Sequence, residues 1–224
     1  MGRRPLAASG TRPDVPRRTP GLRAEAILAG PAGAPDGTSD AVLDAATRLL
    51  ATHGLRRWTM EDVAEEAGLG RATVYRRFPS RDDLVHAALG REVRSFFAAV
   101  AAGVTGLDTL EDQMVEGFLT GWRAVRDSVL GDLFVSDRAA AVSLFTSAPV
   151  LALARTALTE RYQVVTGATL SEQEAADAEL VAEALVRLGL SFLLIPESVI
   201  DPDNTQAARA ALRRLLGPLS RSAP

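Results

Sequence analysis

Two helix starts and one obligatory turn are packed between Thr59 and Leu84, in TMEDVAEEAGLGRATVYRRFPSRDDL, and few folds accept that combination. Thr59 and Asp62, three apart, form a capping-box pattern. Val63, Ala64 and Ala67 follow as one apolar stripe at helical spacing. Gly68 stands where a helix C′ glycine belongs, because glycine takes the left-handed conformation without steric penalty. Leu69 plugs the turn. A second helix is expected from about Arg71 to Phe78, with Val74 and Phe78, four apart, facing inward. Arg71, Thr73, Tyr75, Arg76 and Arg77 are left facing outward or sideways. Pro79 stops this helix, and Ser80 with Asp83 caps the next one in the same capping-box pattern. The stretch is a helix-turn-helix whose second helix is short, basic and rich in hydrogen-bond donors.

Such a helix fits the major groove of B-DNA, where residues near its N-terminus reach base edges. Arginine can pair bidentately with guanine O6 and N7, while the Thr73 and Tyr75 hydroxyls and the other arginines can hold phosphates. The alternative is a surface helix whose arginines are merely solvated.

At these residues the sequence resembles the tetracycline-repressor (TetR) family of bacterial transcriptional regulators. The resemblance is carried by the Thr59 cap, Asp62-Val63-Ala64, Ala67-Gly68-Leu69, Thr73-Val74-Tyr75, Phe78, and Ser80-Arg81 leading to Leu84. It spans roughly Val42 to Leu89; beyond that, only the number and order of helices are similar. It implies a dimeric repressor that binds a palindromic operator in double-stranded DNA and is released by a small-molecule effector. It places Arg71, Ala72 and Arg76 on base-facing positions, and Thr59, Thr73, Tyr75, Arg77 and Arg81 on phosphate-facing ones. Arg81 also opens a helix, where backbone N–H groups favour an anion. One departure is Gly70, at a position where the family often has a serine-like cap. Glycine is an acceptable N-cap, at a cost of a few tenths of a kcal/mol.

Charge is distributed unevenly along the 224 residues. Residues 1–94 hold 15 Arg against 12 acidic residues, a net +3, and residues 95–224 hold 10 Arg against 16, a net −6. A basic end on an acidic body fits a DNA-binding head carried by a body that does not bind DNA. All 25 basic residues are arginine. Cysteine is absent, which excludes disulfides and thiolate chemistry, and the two histidines, His53 and His86, are too few for a His-based metal site. No metal or cofactor is expected. With 47% apolar residues the chain can bury a sizeable core. The apolar run Leu188 to Pro196 is far short of the roughly 20 residues that span a bilayer, and the N-terminus lacks a signal-peptide h-region. A cytoplasmic protein without a membrane partner is expected.

Residues 1–37 contain six Pro, six Gly and six Arg and read as a disordered basic arm, with Leu22 to Leu28 the one stretch that could be periodic. Such an arm could touch DNA or be a solvated leader. The helix-turn-helix domain is expected over 38–85, with a first helix from about Ser39 to His53, and the effector-binding and dimerisation domain over 86–217, leaving a tail at 218–224. Helical periodicity predicts further helices at Arg81 to Ala102, Leu107 to Val125, Val129 to Phe134, Arg138 to Phe145, Pro149 to Val165, Ser171 to Leu194 and Thr205 to Leu216. No strand alternation is present, and the fold class is all-α.

In the body, Met114, Phe118, Trp122, Phe134, Phe145, Leu151 and Tyr162 are candidates to line an effector cavity; ordinary core is the alternative for each. Arg123, Arg126, Asp127 and Arg155 are polar candidates for fixing a ligand. The helices at 171–194 and 205–216 carry apolar residues beyond one face. By resemblance they pair with a second copy, through Leu185, Leu188, Phe192, Leu212 and Leu215. No catalytic motif is present, so an enzyme is not expected. A helical ligand-binding or interaction protein without DNA binding is the competing reading.

Overall fold

A computed structural model describes residues 22–29, 36–166, 171–195 and 197–222. Among them are eleven helices and no strand. They are α1 (Ala24–Ala29), α2 (Gly37–His53), α3 (Met60–Glu66), α4 (Arg71–Arg77), α5 (Arg81–Gly103), α6 (Leu110–Arg126), α7 (Val129–Ser136), α8 (Arg138–Phe145), α9 (Ala148–Thr166), α10 (Glu172–Leu194) and α11 (Thr205–Ser222).

The head is α2, α3, α4 and the first turns of α5. Its core joins Val42 and Leu50 of α2, Val63 of α3, Val74 of α4 and Leu84 and Leu89 of α5, none with any solvent exposure. Burying one such side chain contributes about 1.5–3 kcal/mol. Leu55 and Trp58, in the loop before α3, close this core, and the Trp58 indole donates to the Gly54 carbonyl at 2.9 Å. Helix α2 begins two residues before the expected Ser39, because the Asp36 carboxylate accepts from the Ser39 N–H at 2.7 Å and caps it.

The body holds α6 to α11 around the second half of α5. Helices α9 and α10 pack along each other, as do α5 with α6 and α6 with α11. Met114, Val115 and Leu119 of α6 meet Ala208, Leu212 and Leu216 of α11 in a second apolar core. Two arginines of α11 reinforce it: Arg209 forms a two-pronged pair with Glu116, and Arg213 lies 2.5 Å from Asp112. The Glu116 carboxyl is held below its ordinary range by the hydrogen bonds from Arg209. Asp112 is held low by the Thr109 hydroxyl and then by Arg213.

Three sequence expectations change. Residues 24–29, inside the supposedly disordered arm, form α1, which buries Ala24 and Ile27 against α5 and also touches α9. The breakers flank this segment without interrupting it. Gly90 of α5 lets the backbone of α1 approach so closely that a Cβ at that position would meet the Ile27 carbonyl oxygen. The Arg23 N–H also donates to His86 Nε2 at 3.3 Å. The rest of the arm lies outside the described residues. Helix α7 runs two residues past Phe134, to Ser136. Helix α11 passes Leu216 and includes Pro218, ending at Ser222 rather than leaving a tail. Proline there lacks an N–H for the helical ladder, and Leu212 and Leu216 anchor the helix just before it. No single helix among the described residues is long and apolar enough to cross a membrane.

Candidate DNA interface and effector cavity

The reader helix is positioned by its two caps and its turn. The Asp62 N–H donates to Thr59 Oγ1 at 3.2 Å and the Thr59 N–H to Asp62 Oδ2 at 2.7 Å, closing the expected capping box. Gly68 turns the chain at φ +65°, in the left-handed region. Gly70 caps α4 with extended backbone and no side-chain hydrogen bond. At Ser80 the arrangement differs from the expected box. The Asp83 N–H donates to the Ser80 hydroxyl at 3.1 Å, but that hydroxyl itself donates to the Asp83 carboxylate at 2.6 Å.

With Val74 and Phe78 buried, α4 turns Arg71, Ala72, Tyr75, Arg76 and Arg77 outward, and Thr73 lies half-buried beside them. The arginines are not equivalent. Arg76 is exposed and has no hydrogen bond or ion pair among the described residues. Arg71 stands 3.9 Å from Glu61, a loose exposed pair. Arg77 is paired with Asp36, the cap of α2. Arg81 departs from the phosphate-facing expectation. Its Nε donates to the Trp58 carbonyl at 3.0 Å and its Nη2 to the Leu55 carbonyl at 2.5 Å, and its guanidinium lies 4.1 Å from the centre of the Trp58 ring. Loop carbonyls with no helical partner attract that cation, so Arg81 is a clamp on the 55–58 loop.

The body encloses a cavity of about 500 Å³ between α5, α6, α9 and α10. Met114, Phe118, Trp122 and Phe145 line it, as the sequence suggested. Phe134 and Leu151 do not. Phe134 packs on Phe145 with ring centres 5.4 Å apart and belongs to the core. The Tyr162 side chain lies outside the described residues. Arg123, Arg126, Asp127 and Arg155 are not in the wall either; Arg126 pairs with Asp203, which also accepts from the Trp122 indole at 3.2 Å. The sequence reading missed Phe96, Phe97 and Val100 of α5, which carry the same periodicity as the core positions. It also missed Gly117, Gly121 and Gly189, whose missing side chains leave room in the wall.

The expected dimer residues divide. Leu212 has no exposure within one chain, Phe192 is buried and in edge contact with Phe118 and Trp122, and Leu185 faces the cavity. Within one chain, α6 and the cavity already occupy these faces. Leu188 is half-buried against the α6–α11 core, whereas Leu215 is 48% exposed.

A head of this geometry, with its reader helix bared and a cavity-bearing helical body behind it, defines a helix-turn-helix transcriptional regulator. The family profile described as bacterial regulatory proteins, tetR family, matches residues 42–88. The HTH-type transcriptional regulator AlkX of Mycobacterium tuberculosis is 30% identical over 198 residues, 81% of this chain and 84% of that protein. The HTH-type transcriptional repressor LfrR of Mycolicibacterium smegmatis is 46% identical over 61 residues, 27% of this chain and 31% of that one. Among solved structures, the TetR family repressor AlkX from Dietzia superposes with a TM-score of 0.58 at 25% identity, covering 82% of this chain and 97% of that one. The chain belongs to the tetR family of bacterial regulatory proteins. It is a DNA-binding, ligand-responsive transcriptional regulator of the repressor type.

Proposed function

We propose that the chain acts as a homodimer on a palindromic operator, and that an apolar small molecule in the body cavity weakens that hold. One observation carries the reading: head and cavity share their walls. Helix α5 supplies Leu84 and Leu89 to the head core and Val93, Phe96 and Val100 to the cavity. Helix α7 supplies Leu130 to the cavity and packs on α2 of the head. Arg56, just after α2, reaches Asp137, just after α7, at 3.6 Å. A ligand that displaces α5 or α7 therefore changes where α4 sits. Two reader helices must fall in successive major grooves, about 34–36 Å apart, so a small rotation of each head costs affinity.

In this reading Arg71, Ala72 and Arg76 meet base edges, and Thr59, Thr73, Tyr75 and Arg77 meet phosphates. The division of labour falls near residue 85, inside α5. The apolar side chains that α10 and α11 leave exposed are Leu180, at 70%, and Leu215, at 48%, and these are the partner-facing candidates. A stable dimer needs an interface above about 1,000 Å². The Dietzia repressor is implicated in biodegradation of n-alkanes, which supports a ligand with a long apolar part.

Selection of bound sequences from random DNA tests the operator half. A palindromic consensus is expected from the intact chain, and none from a Leu180→Glu, Leu215→Glu variant that sediments as a monomer. A wild-type monomer that protects a palindrome at micromolar concentration would refute dimeric reading. Because coupling is reciprocal, operator DNA must weaken ligand binding by the factor by which ligand weakens DNA binding.

A further inference from the structure

The cavity wall is apolar except at Gln113, Trp122, Glu160 and Arg161. The Trp122 indole N–H is taken by Asp203. The other three gather at one end. Gln113 is tied to Leu107, and Arg161 donates to the Ala101 carbonyl at 2.6 Å and to the Thr105 hydroxyl at 3.4 Å, so both hold the turn between α5 and α6. Val93 and Phe145 line the other end. From Val93 to Val104, both in the wall, α5 advances about 16 Å at 1.5 Å per residue. The cavity is long, greasy along its length and polar at the end away from the head.

Gln113 carries an unmet requirement. It is 7% exposed, and its Nε2 donates to the Leu107 carbonyl at 2.8 Å. Only the NH₂ end of an amide can face a carbonyl, so that bond fixes the orientation of the side chain. Oε1 is the end that remains. It is buried, and no N–H or O–H of the described residues reaches it. A buried acceptor without a donor loses its hydration and gains nothing in return. Gln113 borders the cavity together with Leu110 and Met114, so the cavity is the side from which a donor can reach it.

The donor's charge is restricted too. Glu160, which is exposed, and Arg161, which is tied to the α5–α6 turn, both border this end. A carboxylate has no hydrogen to give and would bring lone pairs against Oε1. A plain hydrocarbon would leave Oε1 unpaired. We propose that Gln113 selects an amphiphile with an uncharged hydroxyl head, a long-chain primary alcohol, whose O–H donates to Oε1 while its chain runs past Phe96 and Phe118 toward Phe145. Gln113 is then the residue that determines head-group specificity, and the assignment rests on the cavity being the effector site.

The test uses the purified full-length chain and four probes of equal chain length: decane, decanol, decyl methyl ether and decanoate. Binding is read from Trp122 emission and from thermal stabilisation. Decanol is expected to bind roughly tenfold or more tighter than the ether, which keeps the oxygen but lacks the hydrogen. It should also exceed decanoate. In Gln113→Leu the preference of decanol over the ether is expected to vanish while decane still binds. The wild-type ratio of alcohol to ether decides the matter even if that variant folds poorly. Equal binding of alcohol and ether, or tighter binding of decanoate, overturns the head-group assignment and leaves the cavity reading standing, because decane still binds. If none of the four binds, the cavity reading itself fails and the assignment falls with it.

Discussion

The head and the body are built from the same element and hold themselves together differently. In the head, α3 and α4 are short, and helix ends are fixed by neighbours within a few residues: Thr59 with Asp62, Gly68 in the turn, Asp36 on Ser39. In the body, the contacts that matter join residues far apart in the chain, such as Glu116 with Arg209 and Trp122 with Asp203. The body leaves a cavity of about 500 Å³. The two halves thus trade rigidity for adjustability, and α5 belongs to both. A reader must keep its shape to discriminate bases, whereas a sensor must be able to change.

Arg81→Ala breaks this contrast most deeply, because it removes the clamp on the 55–58 loop. Losing two charged hydrogen bonds and the stacking on Trp58 should destabilise the protein by about 2–4 kcal/mol. Chemical denaturation followed by near-UV circular dichroism measures it. A variant of wild-type stability with weaker DNA binding would restore Arg81 to the phosphate-facing set.

Arg76→Ala should do the reverse. Stability stays within about 0.5 kcal/mol of wild type, as for most surface substitutions. Specific DNA binding falls by about 1–3 kcal/mol, with relaxed preference at one base position per half-site. Quantitative gel shifts on single-base operator variants distinguish this from a uniform loss.

Gly90→Ala asks whether α1 belongs to the folded unit. The added Cβ collides with the Ile27 carbonyl, and such overpacking costs about 1–3 kcal/mol. The low end is expected, because a helix of six residues can lift away. Limited proteolysis between α1 and α2 should speed up, and deleting residues 1–35 should lower the melting temperature similarly. An unchanged melting temperature on deletion would return the arm to the role of a solvated leader.

The smallest effect concerns acid. Asp112 and Glu116 have folded pKa values below their unfolded ones, so the stability they contribute is present above the ordinary carboxylate range near pH 4. It is lost as pH falls through the lower folded values. Glu116→Gln should flatten the acid limb of the stability curve while costing no more than about 1 kcal/mol at neutral pH, because solvent still screens this partly buried pair.

The same contrast explains what could be read from the chain. The head was legible because its signals are local: a cap, a glycine and a proline each act within one turn, and the structure keeps all three. Helix boundaries in the body were legible for the same reason, to within a few residues. Residue roles there were not. Leu185, Phe192 and Leu212 carry the periodicity of an exposed apolar face, but periodicity cannot say whether the face meets the same chain or another. Helix α1 stood out only as the possibly periodic Leu22 to Leu28 stretch, because the close approach that Gly90 permits lies more than sixty positions away. The clamp that Arg81 forms could not be read, because the two backbone carbonyls that hold it have no signature in side-chain sequence.

The pairing of Arg77 with Asp36 bears on how the protein finds its site. Four arginines lie between Arg71 and Arg81, yet one clamps a loop, one holds a carboxylate and a third stands near Glu61. Of these four, only Arg76 has no hydrogen bond or ion pair among the described residues. Sequence-independent attachment to DNA comes almost wholly from neutralised phosphates and weakens steeply with salt. A head so nearly self-neutralised grips random DNA loosely and spends little of its time on the many wrong sites. Its occupancy of the right one then depends on fit more than on charge, and it should lose less affinity than its arginine count suggests when salt rises.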